Sequence, residues 1–236
     1  FFEIEAILRK HQPRAFFLEN VKGLAIHDKG RTLKTILGHL DDAGYDVVPP
    51  QILNAMDFGV PQHRERIYII GFRKDLHTAN FHYPEPQTKG ENRPRFRDVM
   101  ENEVPSVKYY LSTTYVETLK RHRARHEAAG HGFGYEIIDT DGVANAIVVG
   151  GMGRERNLLI DKRLKDFTPI TNIKGEVNRE GIRRMTPREW ARLQGFPDKF
   201  KIVVADASAY KQFGNSVAIP AIQATAEKEL QMLGII

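Results

Sequence analysis

The longest apolar run of the chain, IYIIGF at residues 67–72, places the tightest limit on its fold. It is six residues long and flanked by charged residues, so it predicts a buried strand over 66–73. A membrane-spanning helix needs about 20 apolar residues, far more than this run supplies. The chain is 41% hydrophobic and contains 19 Gly and 12 Pro among 236 residues, which excludes general disorder and a collagen-like protein.

Helices are predicted wherever apolar residues recur at helical spacing. The pattern indicates helices over about 1–11 and 30–43, with Gly44 in the position of a C-terminal cap. Another helix is predicted over about 113–128. A final one covers about 218–233, and its core-facing stripe comprises Ile219, Ile222, Ala226, Leu230 and Leu233.

Two further strands accompany the run at 66–73. Residues 15–18 predict a buried parallel strand that ends in a loop beginning at Glu19. Residues 45–53 predict a strand interrupted by two prolines. About a dozen residues separate 45–53 from 66–73, too few for a crossover helix, so these two strands should form an antiparallel hairpin.

The chain changes character twice. Residues 1–75 have an α/β pattern, whereas 76–180 are dominated by His, Pro, Gly and charges and predict a second, smaller domain inserted into the first. From 181 to 236 the helical pattern returns, opened by the capping box TPRE at 186–189. We therefore expect three segments, of which the first and third belong together.

Charged residues are predicted to meet at one edge of the sheet. Ligands of open α/β sheets bind beyond the carboxyl ends of the strands, where Glu19 and Asn20 lie. The hairpin brings the loop that holds Gln62, Arg64 and Arg66 to the same edge. A surface salt-bridge cluster explains the same residues, and spacing alone leaves both interpretations open.

Four segments, in this order, resemble the signature blocks of the bacterial DNA (cytosine-5) methyltransferases. They are ENV at 19–21, NAMDFGVPQHRER at 54–66, REWARLQGFPD at 188–198 and QFGNSV at 212–217. The resemblance implies an α/β fold, the C-terminal part of a Rossmann-like methyltransferase sheet with an inserted small, mixed target-recognition domain at 76–180. Residues 1–75 and 181–236 would then form the catalytic part.

Two blocks of that family have no counterpart in this chain. Its glycine-rich cofactor loop and its Pro-Cys nucleophile block are absent, and the chain contains no Cys. The first residues already follow a helical pattern, so we expect a fragment that lacks its N-terminal part. Such a fragment should be inactive alone, should need that missing part as a partner, and should self-associate through exposed apolar surface.

The resemblance implies transfer of a methyl group from S-adenosyl-L-methionine to C5 of a cytosine flipped out of duplex DNA. A thiolate that adds to C6 activates C5 and places negative charge near N3. The resemblance makes Glu19 the acid that protonates N3. It makes Arg64 and Arg66 the arginine pair, one of which holds the cytosine O2. A plain strand-end ion pair is the alternative for Arg66.

The same resemblance assigns binding residues. Asn215, Ser216 and Val217 match the block that shapes the cofactor pocket. Ser216 is also a candidate N-cap of the final helix, and both interpretations are compatible.

DNA contacts are predicted for five residues: Asn20, Gln62, Arg154, Arg156 and Arg188. Arg154 and Arg156 lie in a glycine-rich loop at 149–156, where a bidentate pair with guanine, a phosphate contact and a solvated turn all remain open. The net charge of +5 permits a polyanionic partner without requiring one. His122 and His126 lie four residues apart on one predicted helix, and we expect no metal site there.

Two other functions are compared with the methyltransferase hypothesis: DNA binding without catalysis, and a nicotinamide-dependent reaction. A catalytically silent DNA-binding module would share the DNA-reading residues but lack a nucleophile. A nicotinamide-dependent enzyme is excluded because the chain has no dinucleotide-binding fingerprint. The resemblance further implies a bacterial protein of a restriction-modification or related system, cytoplasmic and associated with the nucleoid, without a membrane partner.

Overall fold

The computed structural model describes residues 1–76, 78, 80–132, 134–150, 153–170 and 173–236. The chain forms two compact units. The first comprises residues 1–58, 65–89 and 220–236, and the second comprises 59–64 and 90–219.

The first unit is built around one long strand, β5 (Glu65–Arg73). On one side β1 (Ala15–Val21) pairs with it antiparallel. On the other side β2 (Tyr45–Val47) and β3 (Gln51–Asn54) pair with successive parts of it, also antiparallel. The break between β2 and β3 contains the two prolines, which cannot donate to a ladder. The predicted hairpin is confirmed.

The prediction for β1 is wrong in two respects. The strand is antiparallel to its neighbour, and it continues through Glu19 and Asn20 to Val21 instead of ending at Leu18. The register runs without interruption from Ala15 opposite Phe72 to Val21 opposite Arg66. Because β5 offers hydrogen-bonding groups along its whole length, the polar end of β1 stays in the ladder.

Helices cover both faces of this sheet. On one face, α1 (Phe2–His11) and α2 (Arg31–Asp42) enclose a core with the sheet. This core contains Leu8, Phe16, Leu40, Ala43, Tyr45, Ile67 and Ile69. On the other face, α6 (Ile219–Met232) packs on Leu53, Phe58 and Tyr68. The predicted helices at 1–11, 30–43 and 218–233 are therefore confirmed.

The buried face of α6 differs from the predicted stripe. Its fully buried residues are Ala221, Ala224 and Thr225, whereas all five predicted stripe residues, 219, 222, 226, 230 and 233, are only half-buried. Small side chains let the helix approach the sheet closely, and a pattern search for large apolar residues does not detect them.

Because Gly71 of β5 has no side chain, the aromatic ring of Phe16 packs directly over its backbone. Gly71 lies opposite Phe16, and a Cβ at position 71 would overlap with two carbons of the Phe16 ring. We expect Gly71→Ala to lower the free energy of unfolding by about 1–3 kcal/mol, because overpacking forces the ring aside. Urea unfolding measures this change.

Two further variants make the Gly71 test specific. Adding Phe16→Leu to Gly71→Ala should restore most of the lost stability. Gly38→Ala in α2 is the control, because no described atom beyond its chain neighbours and its own helix backbone lies within 4 Å of that Cβ. There alanine should stabilise the helix by about 1 kcal/mol. Unchanged stability of Gly71→Ala would contradict the packing of Phe16 described above.

The second unit combines three helices and several short strands with long loops among its described residues. Its helices are α3 (Thr113–Ala128), α4 (Pro187–Leu193) and α5 (Asp206–Asn215). A parallel ladder joins β4 (Gln62–His63) to β6 (Ala144–Asn145), and an antiparallel ladder joins β7 (Leu158–Ile160) to β8 (Ile182–Arg184). The predicted α3 is confirmed at both ends. Trp190 of α4 is buried in the core, edge-on to Tyr210 of α5 with ring centroids 4.9 Å apart.

The predicted capping box opens α4. Thr186 Oγ1 accepts a hydrogen bond from the Glu189 backbone N–H, and Glu189 Oε2 accepts one from the Thr186 backbone N–H. Gly195 follows the helix with a φ of 79°. In this conformation, which favours glycine, it turns the chain away from the helix axis.

A buried ionic network holds α4 against β8. Arg183 is fully buried, and it donates to Glu189 through two bonds of 2.8 Å and to Asp161 Oδ2 through one of 2.9 Å. Burial acts to raise the pKa of Asp161, but hydrogen bonds from Arg163 and the charge of Arg183 outweigh it and lower the pKa to about 2. Burial opposes the charge of Arg183, yet its carboxylate partners raise its pKa above the usual value.

This network and the Trp190 core explain why residues 181–219 belong to the second compact unit. The division into domains 1–75, 76–180 and 181–236 stays a prediction. None of the helices formed by the described residues has both the length and the apolar character needed to cross a bilayer.

Candidate functional site

The end of β1 and the start of β5 carry an ion pair. Opposed residues of antiparallel strands point to the same face, so Glu19, opposite Tyr68, shares a face with Arg66, opposite Val21. Arg66 Nε lies 3.1 Å from Glu19 Oε1. Both side chains are mostly buried, with 14% of Arg66 and 21% of Glu19 exposed. The predicted meeting of Glu19 and Arg66 at one edge of the sheet is confirmed; their chemical roles stay predictions.

A second ion pair flanks this one. Lys22 Nζ lies 2.8 Å from Glu65 Oε2, one residue before Arg66. The predicted DNA contact Asn20 is exposed at the same edge, where its side-chain oxygen accepts a bond from the Val21 backbone N–H. The edge therefore alternates positive and negative groups, and Glu19 is a fixed carboxyl with part of its surface accessible to a ligand.

Arg64 belongs to the second unit. It is 5% exposed, and its guanidinium donates to two main-chain carbonyl oxygens, Ile147 O at 3.1 Å and Ser216 O at 2.8 Å. The structure thus ties one predicted catalytic residue to the segment predicted to hold the cofactor. The expected approach of Arg64 to Glu19 stays a prediction.

Gln62, a predicted DNA contact, is fully buried within the second unit. Its amide nitrogen donates to Leu193 O at 2.8 Å, and its amide oxygen accepts from the Ile147 backbone N–H at 3.0 Å. Burial and these bonds give Gln62 a packing role. We therefore propose no DNA contact for Gln62.

The predicted cofactor residues lie where α5 ends. Ser216 is the C-cap of α5, and its hydroxyl donates to Phe213 O at 2.8 Å. The prediction that Ser216 caps the final helix is therefore wrong, since α6 begins three residues later and the serine bonds the preceding helix instead. Asn215 is exposed and Val217 is half-buried. An accessible amide beside an apolar side chain fits a ligand with polar and apolar parts.

The two arginines of the predicted DNA-reading loop are both exposed. The guanidinium of Arg154 lies over the ring of Tyr210, 5.3 Å from its centroid. Arg156 Nη2 is 3.8 Å from Glu136 Oε1. Gly151 and Met152, which belong to the same predicted loop, lie outside the described residues.

Arg188, the last predicted DNA contact, is half-buried on α4. One terminal nitrogen donates to Phe200 O at 2.7 Å, and the other, Nη1, is buried without a hydrogen-bond partner among the described residues. The phosphate contact predicted for it stays a prediction.

The sequence did not predict that Arg183 and Arg184 pair with buried carboxylates in the second unit. The buried Arg183 and its neighbour Arg184 look like surface residues in the sequence, since nothing near them marks their acidic partners. The one available signal is the alternation in IRRM at 182–185, where charges interrupt an apolar strand. The rings of His122 and His126 lie 4.4 Å apart. Within the described part of the chain no group of three potential metal ligands is found.

Comparisons with known proteins agree with the motif resemblance. The family described as C-5 cytosine-specific DNA methylase matches residues 1–231. The chain is 67% identical over 235 residues to the type II methyltransferase M.HpaII of Haemophilus parainfluenzae, covering 99% of this chain and 65% of that protein. It is 43% identical to the type II methyltransferase M.NlaX of Neisseria lactamica, covering 97% of this chain and 66% of that protein. It thus spans a little under two thirds of these relatives.

The fold has solved counterparts. The crystal structure of the S. pombe Dnmt2 methyltransferase superposes with a TM-score of 0.68 at 19% identity, covering 94% of this chain and 68% of that one. A methyltransferase of Entamoeba histolytica gives a TM-score of 0.65 at the same identity, covering 94% of this chain and 63% of that one. The predicted α/β methyltransferase fold class is confirmed.

Proposed function

The chain belongs to the C-5 cytosine-specific DNA methylase family, and from this premise we propose that it supplies the base-binding part of a type II DNA (cytosine-5) methyltransferase. The reaction is the transfer of a methyl group to C5 of a cytosine flipped out of duplex DNA. The observation that carries the proposal is the Glu19–Arg66 ion pair at the end of β1, formed by residues of two separate family blocks.

Glu19 is proposed to serve the N3 edge of the cytosine. C5 is a weak nucleophile until another nucleophile adds to C6, and that addition moves negative charge onto N3 and O2. A carboxyl group that is protonated when the base is bound gives its proton to N3, which neutralises the charge as it forms and leaves a carboxylate paired with Arg66. Arg66, whose Nε lies 3.1 Å from Glu19 Oε1, fixes the position of this carboxyl before the base arrives.

The arginine pair is proposed to stabilise charge on the base. A guanidinium held in place by existing contacts needs no reorganisation when charge develops on the cytosine O2. Arg66 is positioned by Glu19, and Arg64 by two main-chain carbonyls. One of the two is proposed to bind O2, while the bond from Arg64 to Ser216 links base binding to the cofactor segment.

S-Adenosyl-L-methionine is the proposed cofactor, and it supplies an electrophilic methyl group on a sulfonium sulfur. Asn215, Ser216 and Val217 are the residues of this chain proposed to hold it. The exposed Asn215 amide is available for polar groups and Val217 for apolar ones, whereas the Ser216 hydroxyl is engaged with Phe213 O. In this assignment Ser216 contributes mainly by shaping the turn.

Duplex DNA is the proposed substrate, contacted by Asn20, Arg154, Arg156 and Arg188. Arg154 is held over Tyr210 and remains exposed, so it presents a planar pair of donors suited to guanine N7 and O6. Arg156 and Arg188 are proposed as phosphate contacts. The bacterial, cytoplasmic and nucleoid-associated location that the motif resemblance implies stays part of the proposal.

The N-terminal portion found in longer family members is the proposed protein partner. The α1 helix exposes large apolar side chains, with Phe2 69% and Ile7 57% exposed. Among the described residues, β1 pairs only with β5, which leaves its other edge open. We expect the chain alone to self-associate through these surfaces, which sedimentation velocity detects. A clean monomer at high concentration would contradict this expectation.

Methyl transfer tests the proposed function. The chain is mixed with the N-terminal portion of a family relative, duplex DNA and S-adenosyl-L-methionine labelled in its methyl group. We expect label in the DNA only when both protein parts are present. Tight DNA binding by the mixture without any label transfer would instead support a catalytically silent DNA-binding module.

A further inference from the structure

A concave pocket of about 430 Å³ lies in the second unit beside the start of α3. Its wall carries three basic side chains and several hydroxyl groups. The residues that matter here are Lys108, Lys174, Arg184, Thr114, Thr118 and Tyr115. None of the described residues that line this α3 pocket is Asp or Glu.

The guanidinium of Arg184 is held in position by Glu155 and Tyr115. The carboxylate of Glu155, which is 5% exposed, accepts a hydrogen bond from Arg184 Nε at 3.1 Å and another from Arg184 Nη2 at 2.7 Å. The Tyr115 hydroxyl donates to the same carboxylate, and its ring lies 5.4 Å from the guanidinium. Arg184 Nη1 has no hydrogen-bond partner among the described residues, and 26% of the side chain is exposed. The guanidinium is thus preordered for a ligand.

The two lysines differ in how their charge is balanced. Lys108 Nζ lies 2.8 Å from Asp206 Oδ2, so its ammonium is fixed and partly neutralised. Lys174 is exposed, and no ion pair to it is found in the described part of the chain. The ammonium group of Lys174 therefore gives the pocket a positive charge that no carboxylate of the described residues neutralises through an ion pair.

The α3 pocket adjoins the segment proposed to read DNA. Arg184 directly precedes Met185, whose backbone carbonyl accepts a hydrogen bond from the Tyr210 hydroxyl. The guanidinium of Arg154 lies over the ring of the same Tyr210. Tyr210 therefore connects the pocket wall with the predicted DNA-reading loop.

We propose that the α3 pocket binds a phosphate group of the DNA backbone, with Lys174 and Arg184 as its main contacts. This inference rests on the proposed function and extends it. Lys, Arg, Thr and Tyr are among the side chains that contact DNA phosphates, and the pocket combines all four without a carboxylate among its described lining residues. A free nucleoside monophosphate has the same chemistry, so the experiment must separate the two.

Salt-dependent DNA binding tests the assignment. The affinity of the full chain for a fluorescent duplex is measured between 0.05 and 0.3 M salt for the unaltered protein and for Lys174→Ala. Loss of one phosphate contact should weaken binding about five-fold at 0.15 M salt and reduce the log–log salt slope by about 0.9. Lys174→Glu should weaken it further, and the effect should be the same for duplexes of different sequence.

Lys162→Ala is the matched control, since Lys162 is an exposed lysine of the same unit that does not line the pocket. It should leave affinity and slope unchanged. The backbone assignment is overturned if Lys174→Ala binds the duplex like the unaltered chain. It is equally overturned if the lysine variants lose binding only to deoxycytidine monophosphate. Failure of the unaltered chain to bind any duplex would remove the proposed DNA substrate as well.

Discussion

Replacing Glu19 by glutamine is expected to slow methyl transfer by about 10²–10⁴-fold, the range typical for loss of a general acid. The variant keeps the size of the side chain but removes the proton that N3 needs. The rate is measured with the N-terminal portion supplied and with labelled S-adenosyl-L-methionine. Because binding of DNA does not depend on this proton, duplex affinity should change little.

Glu65→Gln is the matched control for Glu19→Gln. Glu65 lies at the same edge of the sheet and pairs with Lys22, so the substitution removes a comparable ion pair. We expect its rate to stay within a few-fold of the unaltered protein. An unchanged rate for Glu19→Gln, or an equal loss in both variants, would rule out the acid role and leave the Glu19–Arg66 contact as a structural ion pair.

Arg183→Met is expected to lower the free energy of unfolding by about 3–5 kcal/mol, the range typical when one partner of a buried ion pair is removed. The substitution leaves the buried carboxylates of Asp161 and Glu189 without their shared guanidinium. Urea unfolding at neutral pH measures the loss. Arg179→Met is the control, since Arg179 is exposed and lies over the ring of Phe167. It should cost less than about 1 kcal/mol.

The same variant should change the acid dependence of stability. The folded-state pKa of Asp161, about 2, lies below its ordinary value of 3.8. Its stabilisation is therefore present above about pH 4 and is lost as the pH falls towards 2. Without Arg183 the folded-state pKa rises, so this loss should become smaller. A variant with the stability and acid profile of the unaltered chain would contradict the network.

Local patterns predicted the elements whose stability comes from their own sequence. The predicted helix over 113–128 is confirmed, and Ser112 caps its start. The predicted start of α4 is also confirmed, and there Thr186 and Glu189 form a reciprocal capping box. The apolar β5 is confirmed because its length and flanking charges admit only a strand. In each case the signal lies within a few residues of the element.

Long-range pairing could not be predicted in the same way. The direction of β1 depends on β5, about fifty residues later, and nothing within β1 specifies it. Arg183 meets Asp161 across 22 residues of sequence, so its charge suggests a solvated surface. Ser216 was assigned to the wrong helix because serine caps are common at helix starts, whereas here the hydroxyl bonds Phe213 O of the helix that it ends.

The candidate site was partly accessible from sequence. The contact between Glu19 and Arg66 was predictable because it required only that residues 45–53 and 66–73 form an antiparallel hairpin, whose loop lies at the edge where β1 ends. The sequence did not predict the carbonyl partners of Arg64 or the burial of Gln62, which depend on how loops pack in the second unit. The α3 pocket escaped detection because Lys108, Lys174 and Arg184 are far apart in the sequence.

Whether Glu19 acts on N3 of the target cytosine is tested most directly by a double-mutant cycle between protein and DNA. The target site is first mapped by bisulfite sequencing, and its cytosine is then replaced by 3-deazacytosine, which has no N3 to protonate. If Glu19 protonates N3, Glu19→Gln slows transfer to cytosine by about 10²-fold or more but hardly changes transfer to 3-deazacytosine. An equal loss on both bases would show that Glu19 does not act through N3.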